Sequence, residues 1–205
     1  IDNSAEFMGI WNKAVANNGG DPLFPQEVIS AFENGNDPFL YPNTNFFDEV
    51  FTTAPIQEHN VSVKGGSERQ NYYLSFNYMD QDGIIKETDS KRFGLNLNMN
   101  SKVNKWMEIG GTVQATRKIT ERPYDEISRV MYLMQNGAYP FTAPYTRDGK
   151  FGATQALYLS GPNKGQPIVD TRNPLPDMYN GRTQYANNFI KGSLNATIKF
   201  TPVLT

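Results

Sequence analysis

Two acidic residues beside a glycine are the first candidates for chemistry in this sequence. Asp80 and Asp82 flank Gln81 and precede Gly83, and carboxylates next to a glycine turn are oxygen ligands that Ca²⁺ accepts. The other ligands of a calcium-binding loop, including its closing Glu, do not follow. Asp and Gly also favour a reversal of the chain. The stretch therefore predicts a turn between two strands rather than a metal site.

A second group of carboxylates consists of Glu121, Asp125 and Glu126, and glycoside hydrolysis needs such a pair. The simpler interpretation places Asp125 and Glu126 in the first turn of a helix, where the helix dipole stabilises negative charge. His59 is the only histidine and has no partners that signal catalysis, so we expect it to make a structural hydrogen bond. No nucleophile motif, phosphate loop or zinc signature occurs. The sequence predicts no enzyme, no catalytic or metal-binding residue and no cofactor.

Apolar and polar residues alternate in five segments of the chain, which predicts five β-strands. These strands are the elements that must position the candidate residues. Asn, Ser, Thr, Gln and Gly fill one face of each predicted strand, with few charges, and apolar residues fill the other. The predicted apolar positions are Val61, Val63, Tyr72, Leu74, Phe76, Tyr78, Phe93, Leu95, Leu97, Met99, Met107, Ile109, Val113, Ala115, Ile190, Leu194, Ala196, Ile198 and Phe200.

The segments outside the strands are predicted to contain short helices. Helical spacing and capping residues indicate a helix over 4–19 with Ser4 as its N-cap, and a second over 25–35. A third is predicted over 123–137, with Pro123 at its start. It lies in a connection too long for a structureless loop in a compact domain.

The composition limits the classes of function. The chain has 205 residues, of which 38% are hydrophobic and 13% aromatic, with a net charge of −2 and no cysteine. The absence of cysteine excludes a disulfide framework and a thiolate metal site, and the charge gives no sign of nucleic-acid binding. No apolar run approaches the ~18 residues of a membrane helix.

Two all-β architectures remain open at this point. In a membrane β-barrel the apolar residues face lipid, the polar residues face a wet lumen, and aromatic residues stand at the strand ends. A soluble β-sandwich, such as a carbohydrate-binding module or an adhesin, has the same alternation but buries its apolar faces against a second sheet. The aromatic residues at predicted strand ends are Tyr72, Tyr78, Phe93, Trp106 and Phe200.

Several motifs follow one another in residues 46–110, namely DEVFTTAPIQEH, GGS, DQDGII and NKWMEIG. In this order they resemble the early barrel of SusC/RagA-family TonB-dependent transporters. The chain departs from that pattern at Phe46, Phe47 and Leu95, where the family often has Trp or Arg. The matching residues include Asp48, Glu49, Val50, Phe51, Ala54, Pro55, Gln57, His59, Gly65, Gly66, Ser67, Asp80, Gly83, Arg92, Asn96, Asn104, Trp106, Gly110, Asn173 and Pro174.

The resemblance implies an all-β fold whose antiparallel strands form part of a large outer-membrane β-barrel of about 22 strands, with short helices in extracellular loops. It implies an extracellular loop segment with short helices over 1–56 and four barrel strands over 57–118. A long extracellular loop with a helix is expected over 119–187, and a strand with the start of a periplasmic turn over 188–205. The chain is then a piece of a longer protein whose plug domain and TonB box precede Ile1.

The resemblance also implies a function in the bacterial outer membrane. The expected role is import of oligosaccharides, or of oligopeptides as in some relatives, by a TonB-dependent receptor. The expected partners are a SusD-like surface lipoprotein, TonB through the missing N-terminal region, and outer-membrane lipid, but no nucleic acid.

Aromatic residues of the predicted extracellular segment are the candidate contacts for a ligand or a partner, because their faces stack on sugar rings or peptide backbones. Packing within the loop is the other explanation of these rings. The candidate contacts are Tyr132, Tyr139, Phe141, Tyr145, Tyr158 and Tyr179. The motif residues expected to be structural are Gly65, Gly66, Asp80, Asp82, Gly83 and Trp106.

Overall fold

The computed structural model describes residues 3–200 and divides the chain into two compact units. The first comprises Ile1–Thr52 and Pro123–Arg182 and carries the helices, so we call it the helical unit. The second comprises Thr53–Arg122 and Thr183–Thr205 and is built from strands, so we call it the sheet unit. The predicted apolar position Phe200 is the last described residue, and the end of the predicted segment 188–205 lies outside the described residues.

The sheet unit is a single five-stranded sheet in the order β1-β2-β3-β4-β5, which confirms the predicted all-β class. Neighbouring strands from β1 to β4 pair in antiparallel fashion. The strands are β1 Ile56–Gly66, β2 Gln70–Asp82, β3 Asp89–Lys102, β4 Met107–Pro123 and β5 Arg182–Ile198.

Two strands are longer than the alternation indicates. β4 continues to Pro123, and β5 begins at Arg182. Side-chain pairing accompanies the added length, since Gln184 Nε2 donates to Glu121 Oε1 at 2.7 Å. The sequence pattern did not reveal these ends because they are polar and carry little apolar periodicity.

The register of the sheet places apolar residues opposite one another. Val63 lies opposite Leu74, Leu74 opposite Leu97, and Leu97 opposite Val113. The predicted alternation thus gives the sheet an apolar face and a polar face. The apolar residues of the apolar face are Val61, Val63, Tyr72, Leu74, Phe76, Tyr78, Phe93, Leu95, Leu97, Met99, Ile109, Val113, Ala115, Ile190, Leu194, Ala196 and Ile198. The charged residues on the same side are Asp80, Asp82, Asp89, Lys91, Arg117 and Glu121. The polar face includes Glu58, Asn60, Ser62, Lys64, Asn71, Ser75, Asn77, Arg92, Asn96, Asn98, Asn100, Lys102, Glu108, Thr112, Gln114, Thr116, Lys118, Arg122, Tyr185, Lys191, Ser193 and Asn195, with Lys199 just beyond β5.

The apolar face of the sheet is exposed. The exposed fraction is 64% for Val61, 45% for Phe76 and 93% for Leu194. A sandwich buries such a face against a second sheet. Residues 3–200 form only one multistranded sheet, so the layer that the soluble alternative requires is not found in them.

Gly83 is required by the tight turn between β2 and β3. Its N–H donates to the carbonyl of Thr88 at 2.8 Å, and Thr88 Oγ1 donates to the carbonyl of Ile85 at 2.6 Å. A Cβ at Gly83 would lie 1.7 Å from Thr88 Oγ1. The turn predicted at the DQDG stretch is found only from its last residue, because β2 extends through Asp82, and only glycine fits at the first position of the turn.

The helical unit contains two short helices that the sequence did not indicate, α3 and α5, each of 5 residues. Helices of this length carry too little periodicity to be recognised. The helices are α1 Ser4–Asn17, α2 Gln26–Asn34, α3 Phe46–Val50, α4 Ile127–Asn136 and α5 Leu175–Tyr179.

The predicted N-cap of α1 is wrong by one residue. Asn3 Oδ1 accepts the N–H of Glu6 at 2.9 Å, which makes Asn3 the cap. Ser4 is fully buried instead, and its hydroxyl donates to the carbonyl of Pro42. Both side chains suit a cap chemically, so the sequence alone could not separate them.

The predicted start of α4 is also wrong. Pro123 ends β4, and the helix begins only at Ile127, with Glu126 as its cap and without a capping hydrogen bond from that side chain. Asp125 therefore precedes the helix, and no acidic residue lies in its first turn. A proline suits the end of a strand as well as the start of a helix, which explains the error.

One hydrophobic core joins the two chain segments of the helical unit. Met8 and Phe24 from the first segment and Phe141 and Ala156 from the second are buried together. The long connection after β4 is thus not structureless. It supplies Phe141 and Ala156 to a packed core whose other buried residues come from the first segment.

The exposed apolar face makes the folding of the isolated chain depend on an apolar solvent. For residues 1–205 produced alone, we expect a β component in far-UV circular dichroism in detergent micelles. We expect its loss in plain buffer, whereas the helical component of the helical unit persists. A monomer that melts cooperatively in buffer with its β component intact contradicts this expectation.

Candidate functional site

Two of the predicted aromatic contacts belong to the core of the helical unit. Phe141 is fully buried, so its ring is not available to a ligand. The half-buried Tyr139 lies between Trp11 and Phe141, with ring centroids 5.1 Å and 5.4 Å away. Packing within the unit explains both rings, as the alternative interpretation of the sequence proposed.

Three other rings stand in a row that reaches the surface, and we call them the aromatic row. The centroids of Tyr145 and Phe151 are 6.0 Å apart, and those of Phe151 and Tyr179 are 6.2 Å apart with planes inclined by 22°. Tyr179 is 39% exposed, and the other two rings are half-buried. Aromatic faces held in this way can stack on a sugar ring or a peptide plane.

Phe151 is the member of the aromatic row that sequence reasoning missed. It pairs with Tyr145 across a short hairpin, where Thr146 N–H donates to the carbonyl of Lys150 at 2.8 Å. Gly149 closes the turn with a φ of 76°, a conformation that glycine adopts without strain. A turn of the type TRDGK between two aromatic residues was the available signal for this pair.

Asn173 fixes the hairpin against α5. Its Nδ2 donates to the carbonyls of Pro144 at 2.9 Å and Gly152 at 3.1 Å, one on each side of the hairpin. Its Oδ1 accepts the N–H of Leu175 at 3.0 Å, at the first residue of α5. Because α5 carries Tyr179, one amide side chain holds both parts of the aromatic row in place.

Two features of its surroundings act on the hydroxyl of Tyr145. Burial raises the pKa of this hydroxyl, and the nearby carboxylate of Glu49 raises the pKa further. A tyrosine hydroxyl is protonated at neutral pH even at its ordinary pKa of about 10, and these surroundings make it harder to ionise. A protonated hydroxyl beside a carboxylate can bind the hydroxyl groups of a sugar or the amides of a peptide.

The remaining aromatic candidates are Tyr132 and Tyr158, which are not members of the aromatic row. Tyr132 is 57% exposed on α4. α4 is tied to α5 by Arg129, whose Nε donates to Asp177 Oδ2 at 2.6 Å and whose pKa this carboxylate raises. Tyr158 is half-buried, and its main chain pairs with Gln166. Both rings remain predicted contacts.

The motif residues of the sheet unit lie at turns and strand ends. Gly65 and Gly66 close β1, and a Cβ at Gly66 would lie 2.4 Å from the carbonyl of Gln70. Trp106 is 51% exposed in the β3–β4 turn, and its backbone N–H donates to Asn104 Oδ1 at 2.9 Å. These contacts give the motif residues structural roles.

The two motif aspartates lie near the end of β2. Asp80 Oδ2 accepts the hydroxyl of Tyr78 at 2.9 Å, and Asp82 ends the strand opposite Asp89. Within residues 3–200 no group of three or more histidine and acidic side chains is placed to hold a metal ion. The contacts of Asp80 and Asp82 are those of a strand end before a turn.

His59 differs from its predicted role. The expected structural hydrogen bond is not found among the described residues, and the ring is stacked with Tyr78 instead, at 6.3 Å and an inclination of 10°. Tyr78 in turn lies 5.1 Å from Phe93. These three rings form one row across β1, β2 and β3 at the apolar face.

The middle of the polar face is a surface of amides and hydroxyls. Asn96 Nδ2 donates to Ser75 Oγ at 3.3 Å, and the hydroxyls of Thr112 and Ser193 lie 2.6 Å apart. Neutral groups of this kind bind water and polyhydroxylated ligands without a strong preference for either. No helix within residues 3–200 has the length and apolar character needed to cross a membrane.

No protein-family model matches the chain. TonB-dependent receptor P26 of Formosa agariphila is 28% identical over 191 residues, which cover 91% of this chain and 16% of that receptor. TonB-dependent receptor SusC of Bacteroides thetaiotaomicron is 26% identical over 179 residues, covering 77% of this chain and 17% of SusC. The chain thus spans less than a fifth of the length of these relatives. The similarities confirm the resemblance stated from the sequence.

Substitution of Asn173 by Asp tests how the aromatic row is held. The change replaces two N–H donors by a carboxylate oxygen that faces the carbonyls of Pro144 and Gly152. We expect a loss of roughly 1–3 kcal/mol in local stability. Hydrogen exchange of the hairpin amides in the intact protein measures this loss. Asn163→Asp, at an exposed position of the same segment, is the control, and equal effects of the two changes contradict the role of Asn173.

Proposed function

Because this chain is a relative of TonB-dependent receptors, SusC among them, we propose that it forms part of the wall of an outer-membrane β-barrel that imports nutrients. The sheet unit supplies the wall, and the helical unit supplies extracellular loops. The proposed role is transport rather than catalysis. The energy for transport comes from TonB, which acts outside this segment of the receptor.

The observation that carries this proposal is the division of one sheet into two unlike faces. Val63, Leu74 and Leu97 on the apolar face have no protein layer over them in the described chain, and their polar neighbours line the other side. A barrel wall in a bilayer needs this arrangement, with lipid on the apolar side and water on the polar side.

The energetics favour a lipid environment for the apolar face. Burial of apolar surface contributes about 25 cal/mol per Å². Residues such as Ile190, which is 77% exposed, and Leu194 gain this contribution only when acyl chains or detergent cover them. The neighbouring rings of His59, Tyr78 and Phe93 mark one end of the apolar face, where membrane barrels carry interfacial aromatic girdles.

The two edge strands support a larger closed sheet. β1 and β5 each pair on one side only among the described residues. An open edge presents N–H and C=O groups without partners, which a bilayer does not tolerate. Further strands of the same receptor are proposed to continue the sheet on both sides, to about 22 strands in all.

The proposed substrates are oligosaccharides, with oligopeptides as the other class, and the proposed partner is a SusD-like surface lipoprotein. The amide and hydroxyl groups of the polar face suit a wet lumen through which a polyhydroxylated ligand passes. On the extracellular side, the aromatic row of Tyr145, Phe151 and Tyr179 is proposed to contact the ligand or the lipoprotein. Tyr132 and Tyr158 remain further candidates for this contact.

A charge scan of neighbouring positions tests the assignment of the faces. In the intact receptor, Leu97→Arg is expected to destabilise the folded barrel by about 2–4 kcal/mol, because the charge enters lipid. Asn96→Arg, one residue earlier on the polar face, is the matched control. The fraction of receptor that shows heat-shifted migration in gels of outer membranes measures assembly. Equal assembly of the two variants contradicts the proposed orientation.

Affinity purification tests the proposed partner. Intact receptor extracted from outer membranes in mild detergent is expected to carry a surface lipoprotein in stoichiometric amount. Removal of that lipoprotein is expected to abolish growth on low concentrations of the cognate oligosaccharide while the receptor still folds. A receptor that purifies alone and supports the same growth without a lipoprotein contradicts this part of the proposal.

A further inference from the structure

The charged residues of the polar face are predominantly cations. The chain as a whole has a net charge of −2, so its composition does not account for this excess. The acidic members are Glu58 and Glu108. The basic members are Lys64, Arg92, Lys102, Lys118, Arg122, Lys191 and Lys199.

Both carboxylates of this face already have a cationic partner. Glu108 Oε1 lies 2.8 Å from Lys199 Nζ, and Glu58 Oε1 lies 3.7 Å from Arg92 Nη2. Lys118 and Lys191 have no carboxylate within ion-pair distance among residues 3–200. The polar face therefore carries positive charge that the described residues do not neutralise.

Arg92 and Lys118 form a like-charged pair directly opposite each other on β3 and β4. Such a pair destabilises a sheet. Arg92 Nε is also buried without a hydrogen-bond partner in the described part of the chain. One residue away, on the other side of the same strand, Lys91 lies opposite Asp80, which is an attractive pair. The like-charged pairs on that side are acidic, because Asp89 lies opposite Asp82 and Glu121, so the pair of cations is a feature of the polar face.

The cations are spread along the strands rather than gathered at one end. Lys118 and Arg122 are separated by four positions of β4, or roughly 13 Å at about 3.3 Å per residue. Lys191 lies two positions before Ser193 on β5. The hydroxyl of Ser193 contacts that of Thr112, which precedes Lys118 on β4. Amide and hydroxyl groups fill the space between these charges. A chain-like ligand with repeated negative charges fits this arrangement.

We propose that the polar face binds an anionic oligosaccharide that carries carboxylate or sulfate groups, with Arg92 and Lys118 as its main anion contact. The proposal rests on the proposed transport function and narrows its substrate class. An anion between the two side chains reduces their repulsion, and the side chain of Arg92 is 40% exposed, so its guanidinium can donate to such an anion. Neutral neighbours such as Asn96 are left to bind sugar hydroxyls.

The test compares two double variants of the intact receptor in detergent. Arg92→Gln with Lys118→Gln removes the like-charged pair, whereas Lys91→Gln with Arg117→Gln removes the same charge from adjacent positions on the opposite side. The probes are a dextran sulfate oligosaccharide and a neutral dextran oligosaccharide of equal length. Binding is measured by calorimetry at low ionic strength, where electrostatic contacts are least screened.

Wild-type receptor is expected to bind the sulfated probe more tightly than the neutral one. The first double variant is expected to lose about tenfold in affinity for the sulfated probe, and the second to change little. Equal affinity of wild type for both probes, or equal losses in both double variants, overturns the proposal and favours a neutral oligosaccharide or an oligopeptide.

Lys118→Gln alone keeps the proposal testable if a double variant fails to fold. It removes the repulsion from Arg92, so we expect the receptor to become more resistant to thermal unfolding while its affinity for the sulfated probe falls. Loss of stability with unchanged affinity overturns the inference. Heat-shifted migration of the wild-type receptor distinguishes a failure of the proposed function from a failure of this inference. Absence of a folded barrel contradicts the proposed function itself. A folded barrel without a charge preference contradicts only this inference.

Discussion

The alternation of apolar and polar residues, locked by one strand register, is the constraint on which the sheet unit depends. A slip of one residue in any pair would move Leu74 or Leu97 to the polar face and its neighbour to the apolar face. Close contacts oppose such a slip. Asn77 lies over Gly94, where a Cβ would come within 1.8 Å of Asn77 Oδ1. Shape as well as hydrophobicity therefore fixes which side of the sheet carries the apolar residues and which the polar ones.

The helical unit follows a different rule, because it is stabilised by a buried core of its own. Its two chain segments are far apart in sequence, yet Phe24 and Phe141 lie with ring centroids 5.5 Å apart. The aromatic row depends on this core only indirectly, through Asn173 and α5. Side chains that the amide of Asn173 holds on a packed core are better ordered than side chains on an isolated loop, which lowers the entropy cost of binding.

The sequence predicted those features that repeat with a fixed period or a known motif. Alternation revealed the strands and both faces, and the order of motifs revealed the relationship. It did not reveal α3 and α5, which are too short for periodicity, nor the cap of α1, where Asn3 and Ser4 are chemically equivalent candidates. Phe151 and Asn173 were not recognised as members of a site, because the ring contact of Phe151 with Tyr179 and the hydrogen bonds of Asn173 to the hairpin join segments that are distant in sequence. The excess of cations became visible only when strand register assigned each charge to a face.

The polar face shows how binding and stability oppose each other in this sheet. A face selected for stability alone would place a carboxylate or a neutral residue opposite Arg92, as Asp80 stands opposite Lys91 on the other side. Lys118 at that position has an energetic cost, and Lys118 itself has no carboxylate within ion-pair distance among residues 3–200. Local departures from favourable pairing are expected where a ligand binds. Arg92 Nε adds to this cost, since it is a buried donor without a partner in the described part of the chain.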